Sequence, residues 1–510
     1  MSVPALVTAF IVLVCSAWLM AVPPGSSPDE RAHYIKAIAA GRGELYGGPN
    51  VERPGDRRAF LEAQVREGAN VEALLRISRT PAFRWQQRTT RQFHIPSDLA
   101  VPAFGCTASQ PEVTGSCLDA PTDRARPGPV STYTGTYQPY VYVPPGLAMR
   151  ASNQPEFALR LGRVALLALS AGLLAIAVWT LWTPTAPALS LLGLVASVTP
   201  MVLFLSSVLS PSGPEIAAAI SLCAVLLRLA RGDPLPSWIW GAFGLSGVVL
   251  AGTRALGPVF LLVDAGVVAV VVGPTTLWRR FLSGGARAAA AAGAIALATA
   301  ASLVWEFTRQ PRPRPTGETA LDAIGPSLSH LPDLARQAIG VFGALDAPMP
   351  TAGYVLWSLL LALLVGTALV VGSRRERLTL TGAALALVAA TLVMAVVYRE
   401  IGPLHGRYAL PMLVVLPLVA SEVVLCHRER LSGLGHAVLV GGLFALAGAV
   451  HLLGWWASAR RFAVGVDGTW LFPASSGWAP PLGWGPWLAL LALGVAALFA
   501  AGVRGRGALI

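Results

Sequence analysis

The chain has 510 residues, of which 54% are hydrophobic and only 13% charged, with a formal net charge of +12. Soluble proteins carry about 25% charged residues, so the composition excludes an ordinary water-soluble domain and marks a polytopic membrane protein. Nucleic-acid binding, the other usual meaning of such a charge, is excluded by its distribution: the basic residues are arginines apart from Lys36 and form no basic helix interleaved with aromatics.

Residues 3–22 are an apolar run of membrane length. The run is long and no basic segment precedes it, so residues 1–22 read as an uncleaved first span and not as a signal peptide. The stretch 22-VPPGSSPDERAHY-34 follows at once and reads as the mouth of that span breaking into a short capped helix. Ser27 is the expected N-cap, Pro28 the first helical position, and Glu30 the third-residue partner of a capping box. Asp29 and His33 then share one helical face, with Glu30 and Tyr34 beside them. Two carboxylates and an imidazole at a membrane edge are costly to bury and useful for chemistry. The alternative is that the carboxylates complement the helix dipole while His33 packs.

Residues 23–157 are a polar excursion in which fifteen basic side chains nearly cancel thirteen acidic ones. They are expected to form a small folded domain outside the lipid, with periodic helical patches near 57–79 and Pro/Gly-rich segments after 96. Cys106 and Cys117 fall here, on a side where a bridge would persist. With no histidine nearby, a disulfide is favoured over a metal pair, and closing so short a loop contributes about 2–3 kcal/mol. The segment 131-STYTGTYQPYVYVPPG-146 places four tyrosines before the second span. These are either interfacial belt residues or rings on which a sugar stacks, with Tyr137 and Tyr140 as the stacking candidates.

From residue 158 the chain stays mostly in the membrane. Spans are expected at 158–181, 187–208, 214–230, 236–253, 255–273 and 288–306, making up 158–306. After a polar piece at 307–350 come 351–373, 378–398, 408–426 and 435–456, making up 351–456. A second polar piece at 457–483 precedes the last span, 484–502, and the tail to 510. With the first span these make twelve, an all-α polytopic fold with a large outward first loop. Within 307–350, the run 333-DLARQAIGVFGALDAPMP-350 reads as a surface-lying amphipathic helix whose carboxylate near the lipid is Asp346. Cys15, Cys223 and Cys426 fall in spans and read as small apolar fillers.

Arg228, Arg231, Arg279, Arg280, Arg287, Arg374, Arg375, Arg377, Arg428, Arg430, Arg504 and Arg506 all fall on one side of these spans, against three acidic residues. That side is expected to be cytoplasmic, with both termini inside and 23–157, 307–350 and 457–483 outside. Asp264 and Glu422 are ionisable residues inside spans and would suit ion coupling, although Glu422 is close enough to the cytoplasmic end to meet Arg428. The short outer turn 399-REIGPLHGRYALP-411 carries His405, Arg407 and Tyr408 among structure-breaking glycines and a proline. Arg407 there is either an interfacial anchor or a partner for an anion such as phosphate.

In order along the chain, 28-PDERAH-33, 200-PMVLFLSSVLSPSG-213, 253-TRALGP-258, 341-VFGALDAPMP-350 and 405-HGRYALP-411 resemble a bacterial family of multi-pass membrane proteins, domain of unknown function 2142. That family is related to the GT-C superfamily of lipid-linked-sugar glycosyltransferases. Two positions depart from its usual pattern: Ser210 stands where Asn is common, and His405 where Gln is common.

The resemblance implies a GT-C-like architecture in the bacterial plasma membrane, with an acidic pair on the first outward loop above a groove for a polyprenyl-phosphate sugar. A sugar would pass by one inverting displacement to a cell-envelope glycan or lipid. Asp29 would be the general base, with Glu30 the second choice. Arg407, with His405 and Tyr408, would meet the charge of the leaving phosphate. A divalent cation such as Mg or Mn, if used, would be held by Asp29, Glu30 and His33. No nucleotide-sugar fingerprint occurs in the chain. Two other readings compete: a transporter or flippase of a lipid-linked precursor, resting on Asp264 and Glu422, and a non-catalytic glycan-binding scaffold.

Overall fold

A computed structural model of the chain describes residues 1–49, 80–99, 104–119, 129–232, 234–313, 317 and 319–506. The helical patches expected near 57–79 lie outside the described residues. The rest is predominantly helical, with two minor sheets.

Helix α1 (Val3–Ala21) ends at the predicted mouth, and α2 (Glu30–Gly41) follows. The capping box is not formed: α2 starts at Glu30, and Asp29 is the N-cap residue, held in the left-handed region at φ 60°. The cause is a stronger competitor for Glu30. Its Oε1 accepts from Arg163 Nε at 2.8 Å and from the Leu209 N–H at 2.8 Å, and its Oε2 accepts from Arg163 Nη2 at 2.6 Å and the Gly25 N–H at 3.0 Å. Gly25 is required in that turn, since its φ is 76° and a Cβ would fall 2.6 Å from the Gly105 nitrogen.

A three-stranded antiparallel sheet lies beside α2. It comprises β1 (Gly48–Pro49), β2 (Arg91–Phe93) and β3 (Val130–Thr132), in the order β1-β2-β3. The Thr132 and Thr134 hydroxyls both donate to the Ala32 carbonyl of α2 at 3.0 Å, and Lys36 Nζ donates to the Gly135 carbonyl at 2.7 Å. These bonds fix the tyrosine segment against α2. Helix α3 (Pro81–Thr89) and helix α4 (Val143–Met149) complete the outer layer.

The membrane bundle then runs α5 (Pro155–Leu181), α6 (Leu192–Ser197), α7 (Pro200–Ser206), α8 (Ser212–Ala230), α9 (Ile239–Thr253), α10 (Gly257–Val272), α11 (Pro274–Ser283) and α12 (Gly285–Arg309). Helix α13 (Ala320–Gly340) and the hairpin β4 (Val341–Phe342) and β5 (Ala347–Pro348) precede α14 (Thr351–Val371) and α15 (Arg374–Tyr398). The chain closes with α16 (Gly406–Leu413), α17 (Val415–Cys426), α18 (Gly433–Val464) and α19 (Gly485–Arg506). Helix α8 is buried along nearly its whole length and packs against α5, α9 and α10, while α1 lies along α19.

Among the described residues, nine helices are long and apolar enough to cross a membrane, and up to eleven spans result if each bent pair counts as one. One pair bends by 68°, where Thr199 caps a new helix opening on Pro200; the other bends by 108° at Gly273-Pro274. The expected span 236–253 is a helix of 15 residues, about 22 Å long and short of a hydrocarbon core of about 30 Å. The expectation of twelve full spans is corrected accordingly. The amphipathic helix of 307–350 begins at Ala320, earlier than the sequence suggested, because Thr319 and Asp322 form a capping box.

Contacts gather the arginine-rich loops at one end of the bundle. Arg504 donates to the Met1 carbonyl, His427 Nε2 meets Glu376 at 2.7 Å, and Arg280 donates to the Arg231 carbonyl at 3.2 Å. Glu422 belongs to this end, but its partner is Arg231, at 2.6 and 2.8 Å, and not Arg428.

Candidate active site

At the other end, the start of α2, the β3–α4 segment, α3 and the first turn of α16 enclose a cleft of about 280 Å³. Asp29 is part of its wall. The carboxylate accepts from Arg407 Nη2 at 2.7 Å on Oδ2 and from the Tyr133 hydroxyl at 2.7 Å on Oδ1. Asp29 is 31% exposed and Arg407 only 5%, so the cation comes from inside the protein and the carboxylate faces the opening. Burial alone would raise the Asp29 carboxyl, but Arg407, followed by His33 and the Tyr133 hydrogen bond, outweighs it and holds the group below its ordinary range.

Arg407 is positioned by Gly406, whose N–H donates to Gln337 Oε1 at 2.9 Å. A Cβ at Gly406 would lie 2.3 Å from the Leu334 carbonyl of α13, so only glycine allows that crossing. Arg407 Nη2 also donates to the Tyr408 hydroxyl at 2.9 Å, and the guanidinium lies 4.8 Å from the Tyr408 ring centroid. Arg254 lies 5.0 Å from the same centroid, so one aromatic ring serves two cations. Tyr137, Tyr398, Trp85 and Phe260 supply further ring surface to the cleft.

Of the residues singled out from the sequence, Asp29, Arg407, His405, Tyr408 and Tyr137 line this cleft. Burial first, then the Arg407 charge, pushes His405 down to about 4, so it is a neutral hydrogen-bonding group and adds no positive charge at neutral pH. Glu30 does not face the cleft: it and Arg163 are fully buried, and both its oxygens are engaged. Tyr140 is likewise elsewhere, 43% exposed, with its ring 6.3 Å from Trp305. His33 is buried, its Nδ1 is 2.8 Å from the Tyr142 hydroxyl, and burial, ahead of the other causes, pushes it down to about 3.

The trio Asp29, Glu30 and His33 does not fit a divalent cation. Arg407 and Tyr133 occupy Asp29, Arg163 occupies Glu30, and Tyr142 occupies His33 Nδ1. No group of three His, Cys, Asp or Glu side chains suited to a metal ion occurs among the described residues.

Tyr133, Arg254 and Glu215 are among the cleft residues that the sequence did not single out. Tyr133 lay in the tyrosine segment, but nothing in that segment distinguishes it from its neighbours. Arg254 sat in the recognised 253-TRALGP-258 motif, and Glu215 two residues past another; an ionisable residue at a span boundary was the available signal.

Outside the cleft, Cys106 and Cys117 are joined, with Cα atoms 6.2 Å apart. Arg461 of α18 holds the bridged loop by donating to the carbonyls of Thr107, Gln110 and Val113, and it pairs with Asp346 at 2.8 Å. Asp346 is thereby a structural partner. Cys15 and Cys223 are buried as expected, whereas Cys426 is exposed.

Fold and site together define a polytopic helical membrane protein with a charge-paired, aromatic-walled cleft at one end of its bundle. Residues 12–416 match the family described as Predicted membrane protein (DUF2142), and the chain belongs to that family. No curated protein matches it. Among solved structures it is similar to the crystal structure of ArnT from Cupriavidus metallidurans bound to undecaprenyl phosphate. Identity is 15%, coverage 73% of this chain and 68% of that one, and the TM-score 0.39. For ArnT from the same organism in the apo state the values are 13%, 73%, 66% and 0.35.

Proposed function

We propose that the protein is a GT-C-type glycosyltransferase that moves a sugar from a polyprenyl-phosphate donor to a cell-envelope glycan or lipid acceptor on the extracytoplasmic side. The observation that carries this reading is the Asp29–Arg407 pair, a carboxylate and a guanidinium 2.7 Å apart at the opening of an aromatic-walled cleft. Such a pair offers the two groups the transfer needs: an acceptor for a hydroxyl proton and a cation for a departing phosphate.

In this reading the acceptor hydroxyl oxygen attacks the anomeric carbon and its proton passes to Asp29. The bond from that carbon to the phosphate oxygen breaks, and polyprenyl phosphate leaves with the electron pair towards Arg407. One direct displacement inverts the anomeric centre. A carboxylate held below its ordinary pKa is a weak base, and this sets the order of events. The donor phosphate competes with Asp29 for Arg407; as the guanidinium turns to it, Asp29 loses the charge that depresses its pKa and becomes the stronger base. Arming of the base is thus coupled to donor binding.

A second reading, a transporter or flippase for a lipid-linked precursor, draws on Asp264, which is fully buried in α10 with both carboxylate oxygens lacking a hydrogen-bond partner. Donor consumption by purified protein in nanodiscs, with a panel of polyprenyl-phosphate sugars and envelope acceptors, tests the two. Transfer is expected, and Asp264→Asn should leave it within a few-fold. A vectorial lipid flux without transfer, abolished by Asp264→Asn and untouched by Asp29→Asn, would replace the enzyme reading with the transporter.

A further inference from the structure

Glu215 takes no part in the chemistry above. It lies in the first turn of α8, lines the cleft, and is 1% exposed, yet neither carboxylate oxygen has a hydrogen-bond partner. The nearest cation is Arg254, whose Nε stands 3.8 Å from Oε2, beyond hydrogen-bonding distance and itself without a partner. Buried carboxylates are normally saturated with donors, because an unbonded one forfeits its hydration for nothing. Those oxygens are open to a donor arriving in the cleft.

The charges decide which kind of donor. Asp29 faces Arg407 and Glu215 faces Arg254, so neither of these two carboxylates is an unbalanced charge that would draw a cation; the remaining cleft carboxylate, Glu306, belongs to α12. What Glu215 lacks is hydrogen, and the neutral groups that bring several hydrogens to one carboxylate are adjacent hydroxyls on a ring. The neighbouring walls suit such a ring: Tyr137, Tyr398, Tyr408 and Phe260 offer flat apolar surface to its C–H faces.

We propose that Glu215, oriented by Arg254, is the sugar-recognition residue of the cleft, accepting hydrogen bonds from two neighbouring hydroxyls of a pyranose while the aromatic wall holds the ring's face. The inference rests on reading the cleft as a sugar-transfer site, and names the part of the substrate that each end of it reads: Arg407 the phosphate, Glu215 the ring hydroxyls.

The test uses two probes on full-length protein in nanodiscs. Methyl hexosides, which carry a sugar but no lipid or phosphate, are screened by saturation-transfer NMR. Polyprenyl monophosphate, which carries no sugar, is titrated by tryptophan fluorescence. Wild-type protein should bind at least one methyl hexoside, and Glu215→Gln should weaken it tenfold or more while changing polyprenyl monophosphate affinity less than twofold. Glu215→Asp, which keeps the charge but retracts it by one methylene, should fall between. The proposal is overturned if no methyl hexoside binds, if Glu215→Gln binds the hexoside as wild type does, or if both variants fail to fold, since the carboxylate is then structural. Failure of polyprenyl monophosphate to bind, with the hexoside result intact, counts against the lipid-phosphate donor and leaves the sugar subsite standing.

Discussion

Arg407 and Asp29 are 378 residues apart in the chain and 2.7 Å apart in the fold. The buried guanidinium reaches out to a carboxylate that faces the opening, and the Tyr133 hydroxyl takes the other oxygen. Asp29 also holds a left-handed backbone conformation that most residues avoid, at φ 60°. Strain and charge therefore coincide on one residue at the cleft.

Asn tolerates the left-handed region and keeps the size of Asp, so Asp29→Asn should fold normally. It cannot take a proton, and turnover of a polyprenyl-phosphate sugar should fall by about 10²–10⁴-fold. Arg407→Lys keeps the charge but loses the planar guanidinium whose Nη2 donates to both Asp29 and Tyr408, and should lower donor affinity and turnover less than Arg407→Ala does. Steady-state kinetics with a donor titration separates the two effects. Full activity of Asp29→Asn would remove Asp29 as the base.

Glu30 should behave in the opposite way. Arg163 donates to Glu30 and to the carbonyls of Leu19, Val22 and Pro23, so one guanidinium closes the end of α1 and anchors the start of α2. Glu30→Gln leaves that cation buried and unpaired, a change that costs about 3–5 kcal/mol in comparable sites. The melting temperature of the purified protein should drop further for Glu30→Gln, whose pair with Arg163 is fully buried, than for Asp29→Asn, whose carboxylate is 31% exposed. Equal melting temperatures would mean that Glu30 is not the anchor.

These two neighbours show where sequence reasoning stops. The apolar runs are legible because a bilayer demands about twenty apolar residues per helix, and the described helices fall on them. The bend at Pro200, set by the Thr199 cap, falls inside the expected span 187–208 and leaves no mark in its hydropathy. Ile239–Thr253 and the helix before the Gly273 bend, by contrast, end where the expected spans 236–253 and 255–273 end. The acidic motif is equally visible, but which carboxylate faces the cleft is decided by Arg163, more than a hundred residues away. An arginine inside an expected span was the signal for it, as Glu215 and Arg254 were for the deeper part of the site. Tyr133 carries no such signal, because its role depends on the Thr132 and Thr134 bonds to Ala32.

The pH dependence of stability has a definite sign. His33 titrates near 3 in the folded protein against an ordinary 6.5, and His405 near 4. Between those values and 6.5 the unfolded chain binds more protons, so both histidines make stability rise with pH in that window, and their contribution is complete above 6.5. The Asp29 contribution, from a depressed pKa, is present above its ordinary value of 3.8 and is lost as pH falls below it. All three therefore destabilise on the acid side. His33→Gln keeps a hydrogen-bonding group beside Tyr142 without a titration, and should flatten the fall in melting temperature between pH 6.5 and 4.5. An unchanged slope would show that His33 does not enter the fold as a buried neutral imidazole.

The orientation is open to direct labelling. The arginine-rich loops share one end of the bundle, and such an excess is expected in the cytoplasm. The cleft is at the other end, where Gln337 of α13 bonds the turn that carries Arg407. Gly325 on α13 and Arg375 at the start of α15 are both exposed, and a Cβ at Gly325 meets open space, so each position accepts a reporter cysteine. Cys426 is the exposed free thiol among the described residues and must first become serine; the Cys106–Cys117 bridge does not react and can stay. In intact cells a membrane-impermeant maleimide should label Gly325→Cys directly and Arg375→Cys only after permeabilisation. The reverse pattern would put the cleft in the cytoplasm, where a nucleotide-activated sugar is the ordinary donor, and would remove the argument for a polyprenyl-phosphate one.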